Sequence, residues 1–170
     1  MVALLPLLLG LVATSAAAEH QTIHDLIDLS TPQSSLVTLV NIVREHRGLP
    51  PLCTNKKLQA AAKRHVEDQC KSDYMSNTGT DNSSPEQRVT EAKYKWQSVA
   101  ENIDTGNANA TAVVKWWLKG SNRDNILGEY TMVGTAYKYN EETFNKHYWV
   151  QVYATGTAEE CDLKHKSYEF

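Results

Sequence analysis

The sequence predicts a single α+β domain, a helical N-terminal half followed by an antiparallel sheet. Three observations carry that expectation. From Ser35 onward, Leu36, Leu39, Val40 and Val43 recur at the spacing of one helix face. The C-terminal part switches to β-branched and aromatic runs, YTMVGTAYKY and KHYWVQVYAT, with NEETFN between them suited to a hairpin. The length of 170 residues fits one compact domain and not two.

The elements follow in order. Residues 1–18 hold 14 apolar side chains and no charged one. The stretch from Val2 to Ala13 is short for a membrane span and contains Pro6 and Gly10. It runs into Ala16-Ala17-Ala18, so it reads as a secretory leader cleaved after Ala18, although no Lys or Arg precedes it. Residues 19–34 are polar apart from Ile23, Leu26, Ile27 and Leu29, and read as a loose mature N-terminus.

The domain itself is expected over 35–156, with a tail at 157–170. Its first helix stops at Gly48, ahead of Pro50-Pro51. A second amphipathic helix, NKKLQAAAKRHVEDQC, places Leu58, Ala61, Ala62, His65 and Val66 on one face. A turn-rich loop, 76–84, leads to Ser84-Pro85-Glu86-Gln87, the cap, proline and capping-box Gln of a short helix reaching about Ala92. A fourth helix spans Ala108 to Lys119, and NRDNIL supplies a further helical turn ending at Gly128.

With 17 basic against 20 acidic residues the net charge is -3, which gives no electrostatic reason to expect nucleic acid or an anionic membrane as partner. Three cysteines in an oxidising compartment allow one intramolecular disulfide. Pairing Cys53 with Cys70 would bring together the two ends of one helix, so Cys53–Cys161 is the favoured pair and Cys70 the thiol left over. Asn82-Ser83-Ser84 and Asn109-Ala110-Thr111 are sequons in polar, turn-like sequence. Asp104-Thr105-Gly106 matches the triplet of aspartic proteases, but it leads into a helix and has no second copy to share a proton with. GxSxG, HExxH and CxxC are all missing, so those hydrolase and redox readings lack local support.

The order LVNIVREHRGLPPL, LQAAAKRHVEDQC, SNTGTDNSSPEQRV, VAENI, WWLKGSNRDNILGEYTMVGTAY and HYWVQVYA resembles the CAP superfamily. That group takes in cysteine-rich secretory proteins, antigen 5 and plant pathogenesis-related proteins of group one. The resemblance covers residues 35–155 and is nearest to the microbial branch with a simple SCP domain. It implies an α-β-α sandwich of the CAP/SCP type, with a cavity where histidines and acids converge. The microbial motifs are SHTGxDGS, GENI and SPGHRxNIL. Here the first reads SNTGTDNS, so Asn77 stands at a His position; the last reads KGSNRDNIL, so Asn122 stands at the other. Only the acid of AENI, Glu101, is kept.

A carboxamide neither titrates nor competes with imidazole as a zinc or copper ligand. The expectation is therefore a degenerate cavity of Asn77, Glu101 and Asn122, with no catalytic residue, no metal and no cofactor. Glu101 reads first as a hydrogen-bonded residue holding loops together. The resembling strand motif GHYTQ puts its His at Tyr148, leaving His147 one residue off and on the opposite face. His65 reads as a hydrogen-bonded core residue.

Tyr137, Tyr139 and Phe144 match the aromatic spacing invoked for sterol binding in some members, a pattern that hairpin packing also explains. Of the adjacent Trp116 and Trp117, alignment with the resembling family makes Trp116 the core residue and Trp117 a candidate lipid or partner contact. The resemblance implies a secreted, non-enzymatic protein acting between host and microbe. Its partners would be a sterol, a fatty acid or an extracellular host or cell-wall protein. The alternative it implies is a hydrolytic or metal-dependent activity at the cavity.

Overall fold

A computed structural model describes residues 31–162. The expected leader, residues 19–30 and residues 163–170 of the tail lie outside the described residues.

Helix α1 spans Pro32–Glu45 and begins three residues before Ser35. Thr31 explains the earlier start. Its side chain accepts from the Ser34 amide, the Ser34 side chain returns the bond, and Pro32 occupies the first turn. Helix α2, Lys56–Ser72, is capped by Asn55, whose side chain accepts from the amides of Lys57 and Leu58. It ends at Asp73 in the left-handed region, φ 47°. Helix α3, Pro85–Glu91, carries the Ser84–Gln87 capping box that its sequence announces. Helix α4, Ala110–Trp117, is capped by Asn109, and α5, Asn122–Ile126, follows closely.

Four strands form one sheet: β1 Cys53–Thr54, β2 Ser98–Thr105, β3 Met132–Tyr139 and β4 His147–Thr155. Their order is β1-β3-β4-β2, with β1 parallel to β3 and the other pairs antiparallel. The hairpin β3–β4 is the one read from sequence. Strands β1 and β2 add to it, and Asp104-Thr105 closes β2 instead of opening a helix. In register, Glu101 faces Val152, and Thr135 faces Gln151.

The sheet is covered on both faces, which gives three layers of helix, sheet and helix. On one face α2 and α3 bury Leu58, Ala62, Val66 and Val89 against Tyr148, Val150, Val152 and Ala154. On the other, α1 and α4 bury Leu36, Val40, Val113 and Trp117 against Val133, Trp149 and Tyr153. Alternation along β4 sends its side chains to the two cores in turn. At Gly134, α2 lies directly on β3. A Cβ there would stand 2.1 Å from the Leu58 carbonyl carbon, so no side chain fits.

Arg44 is fully buried and donates to four carbonyl groups, those of Pro50, Ile126, Gly128 and Tyr130. It satisfies backbone oxygens that no strand or helix serves. The described part of the tail is tied down. Cys53 and Cys161 form the expected disulfide, across 108 residues of chain. Beside it Asp162 N–H donates to Thr54 O at 2.8 Å, and Glu159 accepts from Lys57 Nζ at 2.8 Å and from the Lys95 amide. Among the described residues, no helix is long and apolar enough to cross a membrane.

Candidate functional site

The site lies where α2, α3, the loop 76–84 and the middle of β2 meet. Glu101 sits on the face of β2 that looks toward α2, because Ile103, two residues on, packs into the same core. Arg88 comes from α3, His65 from the sheet-facing side of α2, and Asn77 from the loop. Glu101, Arg88 and His65 are buried, whereas Asn77 is exposed.

Both carboxylate oxygens of Glu101 are engaged. Oε1 accepts from Asn77 Nδ2 at 2.9 Å and from Arg88 Nη2 at 2.9 Å; Oε2 accepts from the same Nη2 at 3.0 Å. Arg88 also donates to Ser83 O at 2.7 Å and to Asn77 O at 2.9 Å. One buried cation thus holds β2 to both ends of the loop. Burial pushes the Glu101 carboxyl above its ordinary range, and the adjacent Arg88 charge acts against that rise.

His65 Nε2 lies 2.8 Å from Ser76 O and 3.6 Å from Glu101 Oε1. The carbonyl can only accept, so Nε2 carries the proton and is spent on the loop. Burial, and then the Arg88 charge, lower its pKa to about 4, so the ring is neutral at ordinary pH. Its Nδ1 and the whole carboxamide of Gln69, one helical turn away, are buried without a hydrogen-bond partner among the described residues.

The loop itself is fixed from α2. Asp68 accepts from Thr80 N at 2.9 Å, Thr80 Oγ1 at 2.6 Å and Tyr74 OH at 2.5 Å. Arg64 adds ion pairs to Asp81 and Glu91. Together these contacts can orient a loop and bury a charge. They give each Glu101 oxygen a donor, and the unprotonated His65 Nδ1 is shut off from solvent. Among the described residues, no three His, Cys, Asp or Glu side chains converge as a metal-binding group.

Of the expected cavity residues, the structure joins Asn77 to Glu101. It does not bring Asn122 to them: the Asn122 carbonyl accepts from Asn102 Nδ2, whose side chain points to the opposite face of β2. From α5, Asn125 donates to Asn102 Oδ1 at 2.8 Å and to the Glu101 backbone oxygen at 3.4 Å. Sequence reasoning missed Arg88 altogether. The available signal was a lone arginine in a short helix, one turn from a capping box and facing the core with Val89.

The two tryptophans are the reverse of the expectation. Trp117 is fully buried and donates to Ile103 O at 2.9 Å, whereas Trp116 is 56 % exposed. Trp117 completes the i, i+3, i+4, i+7 set Ala110, Val113, Val114, Trp117, so it cannot be a surface contact. Tyr137 is half-buried, its ring 4.3 Å from that of Trp149, with its hydroxyl 2.8 Å from His147 Nδ1. Tyr139, 49 % exposed, has its ring 5.0 Å from that of His147, and Phe144 is 92 % exposed at the hairpin end. Tyr148 is buried and donates to Asp73. Asn82 and Asn109 are both exposed, and Asn109 caps α4 through Oδ1 alone.

The family model described as "Cysteine-rich secretory protein family" (CAP) matches residues 37–153. Two Bacillus subtilis proteins are similar in sequence. The uncharacterized membrane protein YlbC is 26 % identical over 123 residues, 70 % of this chain and 36 % of its own length. The uncharacterized protein YkwD is 27 % identical over 111 residues, 64 % of this chain and 43 % of its own. The chain therefore spans less than half the length of either relative. Among solved structures, an extracellular protein containing a SCP domain from Bacillus anthracis superposes with a TM-score of 0.65 at 23 % identity, covering 74 % of this chain and 40 % of that one. An outer surface protein from Borrelia burgdorferi gives a TM-score of 0.65 at 17 % identity, covering 71 % of this chain and 89 % of that one. At these identities the likeness is one of fold.

Proposed function

The chain belongs to the cysteine-rich secretory protein family, and on that premise we propose that it is a secreted CAP domain that works by binding and not by catalysis. The observation that carries this reading is the state of Glu101. Both of its oxygens are bonded by the buried Arg88, and Oε1 by Asn77 as well, so the carboxylate is committed to a buried ion pair, where a general base would need an oxygen or a nitrogen facing substrate. The burial of His65 supports the same conclusion, since its one N–H holds Ser76 O and its unprotonated Nδ1 is shut off from solvent. Asn77 and Asn122 at the two positions where the resembling motifs carry histidine support it further. The cavity then serves as a polar brace for the loop 76–84, and recognition falls to the surface. The exposed Tyr139 and Phe144 make the hairpin end the contact for a lipid or an extracellular protein between host and microbe.

Four measurements test this. Expressed with its own first 18 residues, the protein should reach the medium beginning at Glu19. Equilibrium dialysis against zinc or copper should show no stoichiometric binding, and a site of micromolar affinity would overturn the degenerate-cavity reading. Binding screens with sterols, fatty acids and extracellular proteins should find a partner whose affinity drops in Tyr139→Ala and Phe144→Ala; a hydrolytic turnover abolished by Glu101→Gln would sink the proposal.

A further inference from the structure

A groove of about 820 Å³ runs along α1 on the side away from the Glu101 cluster. Val37, Ile42 and Leu52 form its apolar wall, and Glu45 and Asp162 stand at its rim. Among the described residues its lining contains no Lys, Arg or His, and neither rim carboxylate has an ion-pair partner. The groove is therefore an apolar slot under a negative rim of two carboxylates without an ion-pair partner among the described residues, Asp162 Oδ1 also accepting from the Lys56 amide at 2.9 Å. That combination selects an occupant with apolar side chains and positive charge.

Both ends of the described chain lie at this rim, because Thr31 and Asp162 each line the groove. The segments beyond them differ in charge. Residues 19–30 carry Glu19, Asp25 and Asp28 and no Lys or Arg, so the rim repels them. Residues 163–170, LKHKSYEF, remain net positive, with Lys164 and Lys166 for the two rim carboxylates against the one acid Glu169, and carry Leu163, Tyr168 and Phe170 for the wall. Length also suffices: eight residues reach up to about 26 Å, against about 21 Å for the whole of α1. The starting point is fixed by the Cys53–Cys161 disulfide and by the bond from Asp162 N–H to Thr54 O. Such a tether raises the local concentration of the segment to roughly the millimolar range, so modest contacts are enough.

We propose that the α1 groove is a docking site for the chain's own C-terminal segment, residues 163–170. The proposal is independent of what the hairpin end binds. An outside ligand for the groove must displace the segment, which lowers its apparent affinity by the fraction of time the groove is free.

The test compares the full chain with a chain ended at Asp162, which keeps the disulfide and every contact described above. The methyl resonances of Val37 and Leu52 should shift on truncation, and Nile red should bind the shortened chain about tenfold more tightly, as for a groove self-occupied about 90 % of the time. Synthetic LKHKSYEF should reverse both changes, less well in Glu45→Lys and less well at high salt. Tyr168→Asp/Phe170→Asp in the full-length protein should reproduce the truncation. Unchanged Val37 and Leu52 resonances and unchanged dye affinity on truncation would overturn the proposal. It would equally fail if only a chain starting at Thr31 opened the groove, which would make residues 19–30 the occupant.

Discussion

A single guanidinium nitrogen, Nη2 of Arg88, bonds both carboxylate oxygens of Glu101, at 2.9 and 3.0 Å, with both residues out of contact with water. A buried pair of this kind contributes little over a well-packed apolar pair, but it is costly to break from one side. Arg88→Met strands the Glu101 charge together with the Ser83 and Asn77 carbonyls. It should cost about 3–5 kcal/mol, measured as a fall in the urea midpoint. Glu101→Gln keeps the shape and should cost less. Equal losses for the two would show that shape, and not charge, holds the cluster.

Asp104 and His65 oppose each other as pH changes. Asp104 is buried, with Asn107 as its side-chain partner, and burial raises its pKa to about 6. A raised acid costs stability when ionised, so this penalty disappears as pH falls from 6 to below 4. His65, held at about 4, favours the fold while neutral and loses that advantage as pH falls from its ordinary 6.5 toward 4. Each swing is on the order of 3 kcal/mol by the two shifts, and Glu101, also raised, acts in the same sense as Asp104. Wild-type stability should therefore fall less between pH 6 and 4 than His65 alone would dictate. Asp104→Asn removes the Asp104 share of that opposition, so the variant should gain stability at pH 7 and, relative to wild type, lose it on acidification. Thermal melts of both proteins at half-unit intervals check this, and parallel curves would refute it.

Replacing each tryptophan by alanine separates the core from the surface. Trp117→Ala should cost about 3–5 kcal/mol, with Ile103 O losing its donor as well. Trp116→Ala should stay within about 0.5 kcal/mol. Chemical denaturation of the pair decides it, and comparable losses would contradict the packing of α4.

Thiol counting tests the cysteine arrangement. The oxidised protein should show no reactive thiol when native and one after denaturation, because Cys70 is free and buried. Cys161→Ser should lower stability by about 2–5 kcal/mol.

The helices were legible in the sequence because their signals are local. Ser84, Pro85 and Gln87 form a capping box within four residues, and Asn55 and Asn109 cap the helices that they precede. Strand β2 was not, for a physical reason. Both of its faces are buried from Glu101 to Asp104, so polar and apolar residues do not alternate with exposure. The partners that make its polar side chains tolerable, Arg88 and Tyr153, lie far along the chain. The tryptophans show the reverse case. Helical spacing from Ala110 pointed to Trp117, and alignment with the resembling family pointed one residue away. Glu101 was legible as the site's acid, but its cation was hidden in an ordinary short helix. Asn122 was misplaced because a linear motif does not reveal which face of a strand it will meet.

The bridge between Cys53 and Cys161 makes the surface of this protein a record of where the chain has been. In a reducing compartment the link does not close, and Glu160 and Asp162 depend on hydrogen bonds alone to stay beside Asn55 and Thr54. Lys57 then loses the security of its partner Glu159, and the α1 groove loses one of its two rim acids. A reduced copy and an oxidised copy of the same sequence thus present different faces to whatever they meet, so a binding assay has to state which of the two it holds.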